Sequence, residues 1–338
     1  MPANDVIEQA VAWREGGRNV AVATVISTWG SAPRPVGSQL CVDDSGNFAG
    51  SVSGGCVEAA VVHEALTVLA RNSPRLIEFQ VSNTMAWEVG LACGGHIEIF
   101  VEDIKAKQGA FQALANARAS GQPAVLATAL PGGAHALLIG GEHHGALPLD
   151  EAILAEARRA VAADESRSIG TGDGRIFLHV FNPPPRLIIV GAVHIAEPLS
   201  RMATSAGYRV TLVDPRRGFA TREQFHGYTV VDAWPDEGIA KLALDERAAV
   251  VTLTHDPKLD DAALRVALRS KAFYIGCLGS RKTHAARLVR LRVMGLGDAE
   301  LARLHGPVGL PIGARTPAEI AISILAEMTK VRRGEGAA

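Results

Sequence analysis

Three consecutive prolines, Pro183-Pro184-Pro185 behind Asn182, divide this chain of 338 residues. A proline has no backbone N–H to give to a helix or a central strand, so three in a row can join neither. The patterning differs on the two sides of that break. Beyond it, Leu187-Ile188-Ile189-Val190-Gly191 is a wholly apolar strand, followed by a helix to about Ala206 and a stop at Gly207. Arg209 to Asp214 reads as the second strand, and Thr229–Val231, Ala248–Thr254 and Phe273–Leu278 supply the rest. Helices fall between Asp236 and Glu246 and between Asp260 and Ser270. Near-continuous apolar strands alternating with helices mean a parallel sheet covered on both faces. The expected organisation is therefore α/β: a mixed α+β domain over 1–181, a linker at 182–185, a doubly wound domain over 186–332 and a tail at 333–338.

The first half reads differently. An amphipathic helix runs to Gly16-Gly17, and Asn19 to Trp29 is a buried strand. The loop Gly30-Ser31-Ala32-Pro33-Arg34-Pro35-Val36-Gly37 follows, and Arg34 in it reads on its own as a solvated charge. Ser38–Val42 and Asn47–Val52 form a hairpin around Asp43-Asp44-Ser45-Gly46. Further strands are expected at Leu76–Val81, Pro123–Leu130, His135–Ile139 and Arg175–Phe181, with helices at Ala106–Ala119 and from Asp150 to about Ala163. His143-His144 is read as part of a surface turn, because adjacent side chains point apart. With 34 basic and 35 acidic residues the net charge of −1 offers no footprint for nucleic acid or an anionic membrane. No apolar run approaches the ~20 residues of a bilayer span, and the amino terminus does not read as a signal peptide. The four cysteines, Cys41, Cys56, Cys93 and Cys277, fit neither a zinc signature nor a disulfide framework, so a reducing cytoplasm is the default location.

Two of those cysteines stand beside glycine pairs. Ser51 to Glu58 reads SVSGGCVE and leads into a helix, while Cys93-Gly94-Gly95 opens an alternating strand beginning at His96. Free N–H groups at a helix start attract anions and lower a thiol's pKa. Ser53, Gly54, Gly55, Cys56 and Glu58 on one side, with Cys93, Gly94 and Gly95 on the other, are thus candidates for an anionic, sulfur- or metal-bearing ligand. The alternative is two turns with buried cysteines.

In the second half Gly191-Ala192-Val193-His194-Ile195-Ala196 stands where a dinucleotide fingerprint belongs in a Rossmann-like fold, after a strand and opening a helix. Asp214 lies 23 residues beyond Gly191, close to the position that bonds a ribose hydroxyl, or else it caps the turn at Pro215-Arg216-Arg217. Val193 replaces the glycine that lets a pyrophosphate touch the backbone and is expected to crowd it. His194 could bond a phosphate or only its own helix. Gly279-Ser280-Arg281-Lys282 is a second phosphate cradle or a solvated turn. Thr254-His255-Asp256 ends a strand at the carboxyl edge, and helix capping accounts for the aspartates that follow it better than a metal does. Thr316-Pro317-Ala318-Glu319 is a capping box without chemistry.

Taken together these residues resemble the XdhC/CoxI family, accessory proteins of xanthine dehydrogenase and related molybdenum hydroxylases. The resemblance rests on Gly30 through Arg34, Gly50 through Glu58, Cys93-Gly94-Gly95, the GAVHIA turn, Val213 through Arg216, Leu253 through Asp256, Tyr274 through Lys282, Gly309 through Gly313 and Thr316 through Ala321. Val193 departs from it, since the family usually has glycine there. It implies a chaperone that binds the molybdenum cofactor, in mono- or dinucleotide form, guards it during sulfuration and inserts it into an apo xanthine dehydrogenase-type hydroxylase. A cysteine desulfurase-type sulfurtransferase would be a second partner, and a homodimer is expected on base rate. On this reading Cys56 and Cys93 line the molybdenum end with Arg34 and the loop at Gly37. Gly191, His194, Asp214, Arg216, Thr254, His255, Gly279, Ser280 and Arg281 hold the phosphate or nucleotide end. The competing class is an NAD(P)-dependent oxidoreductase, disfavoured by Val193 and by the lack of a hydride-transfer constellation. A third is a nucleotide-gated scaffold that recruits the hydroxylase without touching its cofactor.

Overall fold

The computed structural model describes residues 5–30, 34–55, 57–80, 95–171, 174–216, 218 and 223–334. The chain forms two compact units, Met1–Pro183 and Pro184–Ala338, so the division falls among the prolines.

The first unit carries two antiparallel sheets. One is built from β1 (Val20–Gly30), β2 (Gln39–Asp43), β3 (Phe48–Gly50), β4 (Arg75–Gln80) and β5 (Gly95–Asp103), in the order β3-β2-β1-β5-β4. The other comprises β6 (Ala124–Leu130), β7 (His135–Ile139), β8 (Glu142–Gly145), β9 (Arg167–Thr171) and β10 (Gly174–Phe181), ordered β8-β7-β6-β10-β9. Helix α1 (Val6–Glu15) and helix α3 (Gln108–Ala119) share one core layer with both sheets, through Ile7, Phe111, Leu114, Val22 and Leu126. Helix α2 (Glu58–Arg71) covers the first sheet through Val61, Ala65 and Val68. Helix α4 (Glu151–Ala163) covers the second through Ile153 and Ala157. His143 and His144 lie in the exposed edge strand β8 and not in a turn.

The second unit is a six-stranded parallel sheet of β11 (Arg186–Val190), β12 (Arg209–Val213), β13 (Thr229–Val231), β14 (Ala248–Thr252), β15 (Tyr274–Cys277) and β16 (Leu304–His305). Its order is β13-β12-β11-β14-β15-β16 with every pairing parallel. Alternate residues of β11 feed opposite layers. Leu187 and Ile189 pack toward α5 (Ala196–Ser205) and α10 (Pro317–Arg333), with Leu199, Ile324 and Met328. Ile188 and Val190 pack toward α7 (Pro257–Leu268) and α8 (Arg281–Val293), with Leu264, Leu268 and Leu291. Helices α6 (Pro235–Lys241) and α9 (Asp298–Leu301) also belong to this unit. The order reverses between β11 and β14, and in such sheets ligands bind outside the carboxyl ends of the strands at that reversal.

Candidate functional site

In the first unit, antiparallel pairing carries three separate motifs to one end of a sheet. β1 ends at Gly30, β2 begins at Gln39, β3 ends at Gly50 and β5 begins at Gly95. Gly30 pairs with Gly95 and Trp29 with His96, and Trp29 is 78% exposed there. The loop bearing Arg34 and the stretch Ser51–Gly55 leave from that same end, with Ser51 N–H donating to the Gln39 carbonyl. Arg34 is exposed. Gly37 (φ +90°) is explained by packing, because a Cβ there would meet His179 Nε2 and Ser166 Oγ at 3.1 Å each. Cys56, Cys93 and Gly94 lie outside the described residues.

The stretch before Cys56 is closed upon itself. Glu58 Oε1 accepts from the N–H groups of Val52 (3.2 Å), Ser53 (2.9 Å) and Gly54 (2.9 Å) and from Ser51 Oγ (2.8 Å). Its Oε2 accepts from Gly55 N–H and Ser53 Oγ, each at 2.8 Å. Positive φ at Gly54 (+90°) and Gly55 (+125°) turns successive N–H groups inward, which is why glycine stands there. Burial alone would raise the Glu58 pKa, but the donors of Ser53 and Ser51 override it and hold the carboxyl far below its ordinary range. The expectation that Ser53, Gly54 and Gly55 offer free N–H groups to an outside anion is corrected on this point. Glu58, in the first turn of α2, is the anion they hold.

The carboxyl edge of the parallel sheet is built the other way. Gly191 (φ +104°) follows β11 and abuts the segment after β14, where a Cβ would lie 2.6 Å from Thr254 Cγ2. The N–H groups of Val193, His194 and Ile195 make no backbone bond, so the start of α5 is open. Val193 is half-buried and packs against the apolar layer on the α5 side. His194 is exposed. Asp214 is fully buried and spoken for: it accepts from Ala192 N–H (2.8 Å), Arg216 N–H (2.9 Å), Arg216 Nε (2.9 Å) and Arg216 Nη2 (2.8 Å). Burial pushes its pKa up, and the Arg216 bonds more than reverse this, so the carboxylate stays ionised. Asp214 is therefore not a free ribose acceptor; it fixes the Gly191–Ala192 turn and positions a guanidinium that is one-third exposed at the edge.

Two family models match the chain in register with this architecture. The XdhC and CoxI family model matches residues 13–80, and the XdhC Rossmann domain model matches 187–328. The chain belongs to the XdhC/CoxI family. It is 27% identical over 329 residues to a probable xanthine dehydrogenase subunit of Bacillus subtilis, covering 94% of this chain and 95% of that one. It is 27% identical over 327 residues to the molybdenum cofactor insertion chaperone PaoD of Escherichia coli, covering 97% and 88% respectively. Among solved structures it resembles a xanthine dehydrogenase from Bacillus halodurans, with a TM-score of 0.76, 25% identity and coverage of 99% and 98%.

Within this XdhC/CoxI chain the sheet edge holds a buried polar cluster that sequence reading missed. Thr254 donates from its N–H (3.3 Å) and Oγ1 (2.7 Å) to Asp260 Oδ1, holding the segment in which exposed His255 adopts φ +61°. Asp256 caps α7, whereas Asp260 and Asp261, for which capping is the expectation, do not. Both are buried beside Arg287, itself 2% exposed, with Asp260 Oδ2 at 3.8 Å and Asp261 Oδ1 at 3.9 Å from its nitrogens. Asp261 instead takes two bonds from Arg290, at 2.5 and 3.0 Å. Burial raises the Asp260 pKa against the pull of Thr254 and Arg287. Cys277 is sealed under the same cluster, accepting from Thr252 Oγ1 at 2.8 Å, and burial pushes its thiol up to about 12. It is an inert core cysteine. Among the described residues no group of three or more His, Cys, Asp and Glu side chains could hold a metal ion. No described helix is long and apolar enough to cross a membrane.

Proposed function

We propose that this chain is a maturation factor that carries the molybdenum cofactor as cargo, presents it for sulfuration and inserts it into an apo-hydroxylase of the xanthine dehydrogenase type. The observation that carries the reading is the carboxyl edge of the parallel sheet. It offers open N–H groups at Val193, His194 and Ile195 beside the Arg216 guanidinium, while the acidic residue a nicotinamide enzyme would use on ribose is consumed by that arginine. Such an edge suits the phosphate end of a cargo better than a ribose diol. The names of the relatives from B. subtilis and E. coli point the same way. Cys56 and Cys93 are the soft donors for the molybdenum or its sulfur, in either cofactor form. Their supply route is a cysteine desulfurase-type sulfurtransferase, and a homodimer in the reducing cytoplasm is the setting in which both thiols stay available.

Incubating cofactor-loaded protein with apo-hydroxylase tests the assignment. Hydroxylase activity should appear in proportion to loaded protein and drop sharply with Cys56→Ser. Full activation by the variant would remove Cys56 from the site. The strand order β13-β12-β11-β14-β15-β16 favours one second reading, an NAD(P)-dependent oxidoreductase. Tight, saturable NAD(P)H binding by calorimetry would establish it.

A further inference from the structure

We propose that the start of α8 is an anion subsite in its own right, taking a phosphate group, with Arg287 as its buried anchor and Gly279 in its turn. Three observations converge there. The N–H groups of Gly279, Ser280, Arg281 and Lys282 make no backbone bond, and α8 is 13 residues long, so its amino end carries a full positive dipole. Arg287, two turns further on, reaches back beneath the turn, as helical side chains do. Its Nη2 donates to the Leu278 carbonyl at 3.0 Å, whereas Nε and Nη1 make no hydrogen bond although the side chain is 2% exposed. A buried cation with idle donors is expensive unless a partner takes them. The two acids beside it stay beyond hydrogen-bonding distance, and Asp261 is engaged by Arg290.

The third observation is the close approach of the turn to the arginine. At Gly279 a Cβ would stand 3.6 Å from Arg287 Nη1 and 3.3 Å from Thr283 Cβ, so glycine keeps a side chain from wedging between the turn's backbone and the guanidinium. Ser280 Oγ is occupied by capping, accepting from Thr283 N–H at 3.1 Å, so recognition falls to backbone N–H groups and Arg287. Exposed Arg281 and Lys282 add positive potential at the mouth. This subsite is separate from the Gly191 turn. β14 lies between β11 and β15, which puts two strand spacings, about 10 Å, between the two positions. It stands whether or not the cargo is a molybdenum cofactor.

The test is a titration of the isotope-labelled full chain, first with inorganic phosphate and then with the monoester phenyl phosphate, followed at the Gly279–Lys282 amides. Saturable shifts at those amides are expected with both, and the tighter ligand tells whether the source is free phosphate or an organic ester. Arg287→Gln should weaken binding about tenfold or more, the effect of one charge-assisted contact. Lys271→Gln, which removes an exposed cation elsewhere in the second unit, should leave it unchanged. Should Arg287→Gln fail to fold, Gly279→Ala sets a methyl against the guanidinium with the arginine in place and should give the same loss. Amides that do not shift, equal affinity in either Arg287→Gln or Gly279→Ala, or loss of the shifts in Lys271→Gln would overturn the proposal.

Discussion

The stretch Ser51–Glu58 and the turn Gly191–Ala196 look alike on paper: an apolar strand, glycine with positive φ, then the start of a helix. They differ in what their N–H groups face. In the first, Glu58 takes the backbone N–H groups of Val52, Ser53, Gly54 and Gly55 and the hydroxyls of Ser51 and Ser53. In the second, the local carboxylate, Asp214, takes one backbone N–H from the turn and spends the rest of its capacity on Arg216. A glycine-rich helix start is therefore an anion site only when the chain has not supplied its own anion. The first turns its described N–H groups inward onto Glu58, and the second leaves those of Val193, His194 and Ile195 without a backbone bond.

Removing the internal anion should break that contrast most forcefully. Glu58→Ala leaves several buried donors without an acceptor and should destabilise the first unit by about 3–5 kcal/mol, read from urea denaturation. Hydrogen exchange should place the loss in β3 and α2, with the second unit unaffected. A change below 1 kcal/mol would mean that the loop does not depend on its carboxylate.

Acid should separate the two units next. His179 and His135 are buried in the first unit. Burial, helped by the charges of Arg118 and Lys107, depresses their pKa values to about 3 and about 4. A histidine whose folded pKa lies below its unfolded value of about 6.5 stabilises the fold fully above pH 6.5 and loses that contribution as the pH falls toward the folded value. Together the two should remove about 3 kcal/mol from the first unit by pH 5.5. Glu58, with a depressed carboxyl, adds its own loss only below its unfolded pKa of about 4.3. Among the described residues the second unit has one half-buried histidine with a depressed pKa, His284, and should lose less. Hydrogen exchange resolved by unit at pH 7.5 and 5.5 checks this, and equal losses would contradict it.

Asp214→Asn sharpens the receptor side. It should cost about 1–3 kcal/mol in the second unit by loosening Arg216, and phosphate binding at the sheet edge should survive. A carboxylate that read ribose would instead take nucleotide affinity with it when removed. The smallest effect expected is that of Val193→Gly. Loss of its packing and the added backbone freedom should cost about 1–2 kcal/mol without creating NAD(P) affinity. A gain of tight NAD(P)H binding would show that Val193 blocks a working dinucleotide site.

Much of the scaffold was legible beforehand, for physical reasons. The triple proline must interrupt structure, and the strands around Ile189, Leu212, Val250 and Ile275 are apolar on both sides because both faces are covered. The capping box at Thr316 and Glu319 is present as its residues dictate. The edge strands β8 and β9 escape a sequence reading because strands with no buried residue carry no apolar run. The candidate site was legible as positions and not as partnerships. Nothing in the spacing of Gly54, Gly55 and Glu58 tells whether the carboxylate folds back, and Asp214 reads identically whether it faces ribose or Arg216. Arg287 sits in a helix with Arg281, Arg290 and Arg292 and reads as one more solvated charge. Only the fold shows that it points beneath Gly279.

The central claim is that this XdhC/CoxI chain carries a molybdenum cofactor. The direct measurement is the molybdenum and oxidised-pterin content of protein purified in parallel from cells that make the cofactor and cells that cannot. We predict comparable amounts of metal and pterin on the protein from the first source and neither on that from the second. Protein free of pterin from both sources would contradict the account.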